Sequence, residues 1–409
     1  MKILFRFLTI LLLATIVGCT TPYDYQTNGF DDVIVIEATI TNQYKTQEIK
    51  VSRTYKLEEK KPTFETKAIV FITDDQGNKY DFKENTDTYT SVSQFQASPD
   101  RTYELHIRTQ DGRSYASSSE KLPQQTQIES LNASAITKEG VLGVEITVNS
   151  TDPTNSSKYY RYDYEETYKV IAPKWYYQKA VPHYFPPGSY PPGEVVLETR
   201  TEEARICYLS QKSSELILTS TSDLSEDKVV NFPVRFIPST DPVLRNRYSI
   251  LVKQYVQSLA SHTFFETLKK ISNTGSILSQ TQPGFFNGNI QSIDNPGEKV
   301  IGYFDVSSYS EKRLFFDFRD IFPIQPQPKY QYDCPAPIPD DQTKAYLFKY
   351  CFNKNPDFEC QGETILNLLS TGLKVYFPTE GPNIYILYDV ECGDCTSFSS
   401  NIKPPFWID

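Results

Sequence analysis

The chain has 409 residues and a formal net charge of −10. That length suits about two to three domains, and the acidic balance argues against a nucleic-acid binder. Tyrosine (29) and phenylalanine (25) are abundant, and β-branched residues recur in short runs, which favours strands over helices.

At the start, Lys2 and Arg6 precede an apolar run from Phe7 to Val17, followed by Gly18 and Cys19. The run is shorter than the roughly 20 residues of a spanning helix. Ile16-Val17-Gly18-Cys19 has the form of a lipobox, with Ile16 where Leu is usual. Residues 1–18 are therefore expected to be a lipoprotein signal peptide, cut before Cys19, which then carries acyl chains. Two or more chains anchor stably, because each buried CH₂ contributes about 0.8 kcal/mol. Residues 19–30 are polar and aperiodic, a tether.

Alternation begins at Val33. Val33 to Ile40 and Glu48 to Thr54 read as strands. Ala68 to Thr73 and Tyr80 to Phe82 flank a turn at Asp74 to Asn78, and Asp111-Gly112 marks a hairpin. About seven short strands without an intervening helix predict an immunoglobulin-like β-sandwich over residues 31–122, lacking an inter-sheet disulfide. Leu122-Pro123 marks its end.

Residues 123–409 read as a larger β-rich domain with one inserted helix. Strands are expected at Leu142 to Val148, Tyr159 to Ile171, Arg205 to Leu209, Glu215 to Ser220, Tyr248 to Gln257, Val300 to Val306, Arg313 to Phe318, Leu373 to Phe377 and Ile384 to Val390. The helix is expected over Ser261 to Ser272, with Ser261 as N-cap and Gly275 beyond its end. Residues 172–194 hold Trp175, Tyr176, Tyr177, Tyr184, Phe185 and Tyr190 beside two Pro-Pro-Gly triplets. Proline blocks ladder pairing, so this segment reads as a long loop of polyproline character. Its rings either form a contact surface for a ligand or partner or pack on the parent sandwich.

Beyond Cys19 there are six cysteines: Cys207, Cys334, Cys351, Cys360, Cys392 and Cys395. An even number in an exported chain predicts disulfides, with 15 possible connectivities, and makes residues 323–362 a disulfide-stapled, Cys-rich insertion. Zinc is disfavoured, since only Cys392-Gly-Asp-Cys395 has C-x-x-C spacing. A thioredoxin-like site needs a helix after the second cysteine, and Thr396 to Asp409 is polar and proline-bearing.

Catalytic motifs do not stand out. The histidines, His106, His183 and His262, have no metal-ligand spacing. Ser118-Ser119-Glu120-Lys121 matches S-x-x-K, without companion motifs. Asp74-Asp75 and Asp340-Asp341 lie in turn-like contexts. No enzyme activity, cofactor or resident metal is expected.

Several segments in order carry a resemblance: Val51 to Thr54, Tyr248 to Tyr255, Phe264 to Lys269, Gly288-Asn289-Ile290, Val300 to Phe304, Cys392 to Cys395, and Lys403-Pro404-Pro405-Phe406-Trp407. Together they resemble the Bacteroidota lipoproteins grouped as domain-of-unknown-function family 4249. The usual pattern has a glycine-bearing loop before Lys-Pro-x-Phe-Trp, where this chain has Phe398-Ser399-Ser400-Asn401. The resemblance implies an outer-membrane lipoprotein, often encoded beside a TonB-dependent transporter. The expected function is accessory, capturing an unknown nutrient ligand for such a transporter. A structural or adhesive envelope lipoprotein is the alternative, and an unrecognised hydrolase the second.

Overall fold

Strict alternation in the strand Ile34–Thr41 sets the first layer. Ile34, Ile36, Ala38 and Ile40 are buried, while Val35, Glu37 and Thr39 lie on the other, less buried face. Each buried isoleucine contributes about 1.5–3 kcal/mol. The computed structural model describes residues 32–55, 62–189, 193–273, 288–335, 345–346, 365–378 and 384–409. The predicted signal peptide, Cys19 and the tether lie outside them, as do Tyr190, Cys351 and Cys360.

The protein is mainly β, as the sequence predicts, with sandwich-like packing. Strand Ile34–Thr41 pairs antiparallel with Glu48–Arg53, and the sheet continues through Thr88–Ser91, Lys79–Asn85, Ile69–Asp74, Thr102–Arg108 and Ser114–Ser117. Their inward residues form one core, including Val51, Ile72, Tyr89, Leu105 and Tyr115. The turn after Asp74 needs Gly77 at φ +80°. Asp74 there accepts from Asn78, Tyr80 and Arg101.

This first core is not closed by residues 31–122 alone. Ile290, Val300, Phe304 and Val306 join it from far along the chain. The strand Ile290–Ser292 pairs with Ser114–Ser117, and the 17-residue strand Val300–Phe316 serves both halves of the molecule. Its first half, Val300 to Ser307, runs parallel to Ile34–Thr41. Its second half, Ser308 to Phe316, runs antiparallel to the strand Tyr248–Gln257. The two strands expected at 300–306 and 313–318 are thus one, because the polar break at Glu311-Lys312 falls on exposed positions of a continuous ladder. Gly302 has φ +149°, and a Cβ there would stand 2.2 Å from the Ile36 carbonyl oxygen.

The larger core lies between two sheets. One is three-stranded: Ile128–Lys138, Val141–Thr151 and Lys228–Pro238. The other is the continuation of the large sheet through Tyr159–Ile171 and Tyr248–Gln257. Val144, Ile146, Val148, Tyr160, Tyr162, Val234, Ile237, Ile250 and Val252 fill the space between them.

Two expectations need correction. The helix runs Leu259–Asn273, starting two residues early. Ser258 Oγ accepts from the Ser261 amide at 3.1 Å and so caps it, whereas Ser261 Oγ donates to the buried Asp305 at 2.8 Å. The loop expected over 172–194 contains a β-hairpin arm: Gln178–Tyr184 pairs with Gly193–Thr199. Pro182 is tolerated because this two-stranded ribbon has only edge strands. The cysteine count predicts disulfides with the connectivity open, and among the described residues the bridges are Cys207–Cys395 and Cys334–Cys392.

Candidate functional site

At the free edge of the strand Lys228–Pro238, beside the C-terminal turns of the helix, lies a cleft of about 900 Å³, within the range of about 300–1,000 Å³ common for ligand sites. One wall is the strand Lys228–Pro238, which contributes Phe232, Pro233, Val234, Arg235 and Phe236. Among the described residues this strand ends its sheet and pairs on one side only, with Val141–Thr151. Pro233, which has no N–H to give, sits where that ladder shifts register, between the pairs Ile146–Arg235 and Thr147–Pro233. The other walls are Tyr164, the segment Ser214 to Ile217, and the C-terminal turns of the helix with Leu268, Lys269 and Ser272.

Arg235 is the best-held polar group in the cleft. Its Nε and Nη2 each donate to a different oxygen of Glu166, both at 3.2 Å. Glu166 is buried and also accepts from the Tyr248 hydroxyl at 2.7 Å. Burial opposes the charge on Arg235, yet the Glu166 carboxylate and neighbouring tyrosines hold its pKa above the ordinary value. Burial first, and Glu166 second, push the Tyr248 phenol well up. The guanidinium lies 5.6 Å from the centre of the Tyr164 ring, an attraction of roughly 0.5–2 kcal/mol.

Apolar surface in the cleft comes from Phe232, Phe236, Leu216, Ile217 and Leu268. Phe232 is fixed by stacking on the buried Tyr162, ring centres 5.6 Å apart. Lys138 leans over the Phe236 ring at 5.7 Å. Glu145, Glu215 and Lys269 complete the charged lining. Among the described residues there is no group of three or more metal-ligating side chains. The arrangement can bind and orient a small amphipathic molecule.

The aromatic residues singled out in the sequence do not converge on one site. Trp175 packs against the larger core, with the Arg205 guanidinium 5.7 Å from its ring. Tyr176 is set among Tyr177, Tyr376 and Phe377, ring centres 4.5, 5.8 and 6.4 Å away. Tyr177, Tyr184 and Phe185 are exposed, at 50%, 54% and 40%. Tyr184 donates to Asn367 at 3.3 Å, on the short helix Ile365–Ser370 beside the hairpin. Cys207, Cys392 and Cys395 are buried.

The cleft residues were not foreseen. Pro233 and Pro238 hide the strand Lys228–Pro238 from a reading that treats proline as a stop. The signal that remains is the apolar density of Val229, Val230, Phe232, Val234, Phe236 and Ile237 around a single charge, Arg235.

The model of a domain of unknown function, DUF4249, matches residues 20–313. No curated protein matches the chain. Among solved structures it is similar to the BSP domain of a biofilm-associated protein, at 8% identity and a TM-score of 0.12. That alignment covers 69% of this chain and 59% of the other, so less than two thirds of the other's length is spanned, and a likeness this slight carries no argument.

Proposed function

This chain belongs to the DUF4249 family, and on that premise we propose that it is a non-enzymatic, lipid-anchored accessory of the outer membrane. In this reading Cys19 carries the lipid, and the folded body captures a nutrient and presents it to a TonB-dependent transporter. The observation that carries the reading is the cleft, with an anchored guanidinium at Arg235 and rings at Tyr164, Phe232 and Phe236. A cleft of about 900 Å³ lined in this way favours ligand capture over a purely structural or adhesive role. The hairpin arm Gln178–Thr199 supplies the second element. Its exposed Tyr184 and Phe185, with Tyr177 at its base, suit contact with the transporter.

The test is purification of the native lipoprotein from membranes in mild detergent, with the co-purifying proteins and small molecules identified by mass spectrometry. A transporter and a bound solute are expected. Replacing Tyr184 and Phe185 with Ser should reduce transporter recovery without moving the melting temperature. Recovery of the lipoprotein alone, free of solute, would remove the basis of the proposal.

A further inference from the structure

Building on that ligand-capture reading, we infer that the cleft takes a short peptide with free termini and apolar side chains, its C-terminal carboxylate received by Arg235. The argument starts from the two edges of the guanidinium. The edge formed by Nε and Nη2 is occupied by Glu166. Nη1 has no hydrogen-bond partner among the described residues, and the Arg235 side chain keeps 27% of its surface exposed. The end formed by Nη1 and the second Nη2 hydrogen is a ready-made fork for a second carboxylate. Because the first carboxylate is itself held by Tyr248, the fork is oriented before any ligand arrives.

The rest of the lining specifies what else the ligand carries. Glu145, Glu215, Lys138 and Lys269 all border the cleft. None of these four charges forms an ion pair among the described residues. A neutral glycan would leave both acids and the guanidinium fork without charged partners. An anion alone would answer Lys138 and Lys269 but leave Glu145 and Glu215 without a cation. A zwitterion satisfies both signs: its ammonium group answers Glu145 or Glu215, and its carboxylate answers Arg235. The apolar remainder of the lining, Phe232, Phe236, Leu216, Ile217 and Leu268, then accepts hydrophobic side chains. A peptide joins these three features in one small molecule.

The experiment uses the full chain purified without its lipid and a pool of tripeptides built from Ala, Leu, Phe and Val. The pool is offered in three forms: free, C-terminally amidated and N-acetylated. Binding is read by native mass spectrometry and titration calorimetry. The free pool should give one-to-one adducts. Amidation should weaken binding by roughly tenfold or more, the loss expected for a charge-assisted hydrogen-bonded pair. Acetylation should weaken it by about threefold or more. In Arg235→Lys the penalty for amidation should shrink while that for acetylation persists. In the double variant Glu145→Gln, Glu215→Gln the reverse should hold, and that surface variant should leave folding intact should Arg235→Lys destabilise the protein. Equal binding of all three pools, or binding of none, overturns the peptide assignment. If none binds while native protein still carries another solute, the assignment fails and the capture reading stands. If native protein carries no solute at all, the capture reading has failed as well.

Discussion

Removing the bridge between Cys207 and Cys395 should be among the most damaging changes that leaves every other side chain in place. The two cysteines lie 188 residues apart in sequence, so the bridge closes a very long loop in the unfolded chain. Loop-closure entropy for such a loop corresponds to about 5 kcal/mol at 25 °C. The Cys334–Cys392 bridge spans 58 residues, and the same relation gives about 4 kcal/mol. Both values are large against a total stability of about 5–15 kcal/mol. Cys207 and Cys395 also have no exposed surface and pack in the larger core, so alanine at both leaves a small void that adds to the loss. Urea unfolding followed by tryptophan fluorescence suits the question. The two tryptophans, Trp175 and Trp407, both sit in this region: Trp175 packs on the larger core, and Trp407 stacks on Tyr208 with ring centres 5.0 Å apart. The midpoint of Cys207→Ala, Cys395→Ala should fall further than that of Cys334→Ala, Cys392→Ala, with a steeper slope than the parent because the uncrosslinked chain exposes more surface on unfolding. A loss below about 1 kcal/mol, or the opposite order of the two variants, would refute the argument. It would mean that the denatured chain is already compact enough for the long bridge to constrain little.

Trp407→Ala should cost about 3–5 kcal/mol. The ring is 5% exposed and lies against Tyr208 and Phe315, and a thermal melt measures the loss. At acid pH the turn at Asp74 should give way. Burial opposes ionisation of its carboxyl, but hydrogen bonds from Asn78, Arg101 and Tyr80 outweigh it and bring the pKa down to about 2. A depressed carboxyl pKa gives stability that is complete above pH 4 and drains away as the pH falls toward 2. After solvent screening this amounts to about 1–2 kcal/mol. Asp74→Asn should flatten that part of the stability–pH curve, and an unchanged curve would show that Asp74 is not its source. Cys19→Ala should abolish incorporation of labelled palmitate and release the protein from membranes, and label entering that variant would refute the lipobox reading.

Much of the β architecture is legible in residue alternation, because one face of each strand in the first core is buried and the other wet. Ile34 to Ile40 shows this directly. What alternation hides is closure. Nothing near Val300 says that its partner is Ile34, since strand pairing over that separation leaves no local mark. Several segments that carry the family resemblance turn out to be structural joints. Asn289 bonds both the amide and the carbonyl of Phe304. A Cβ at Gly288 would collide with the Gly302 carbonyl oxygen, 1.5 Å away. Lys403 to Asp409 forms a clasp, with Arg313 3.5 Å from the Phe406 ring and Lys169 paired to Asp409. The cleft was illegible for another reason. Its walls come from segments around residues 138–145, 164, 214–217, 232–236 and 268–272, and no one of them is unusual alone.

The strand shared by both sandwiches has a consequence for how the chain is made. A protein that emerges from its N-terminus offers Ile34–Thr41 early, but the parallel neighbour of that strand begins only at Val300. Until then one margin of the first sheet has no partner, and an unpaired strand margin invites the wrong one. At synthesis rates of about 5–20 residues per second the interval is on the order of tens of seconds. The nascent N-terminal half therefore needs an escort, or delayed folding, for as long as the later residues are in transit. A fragment ending at Leu122 would never leave that state, so it should aggregate where the whole chain does not.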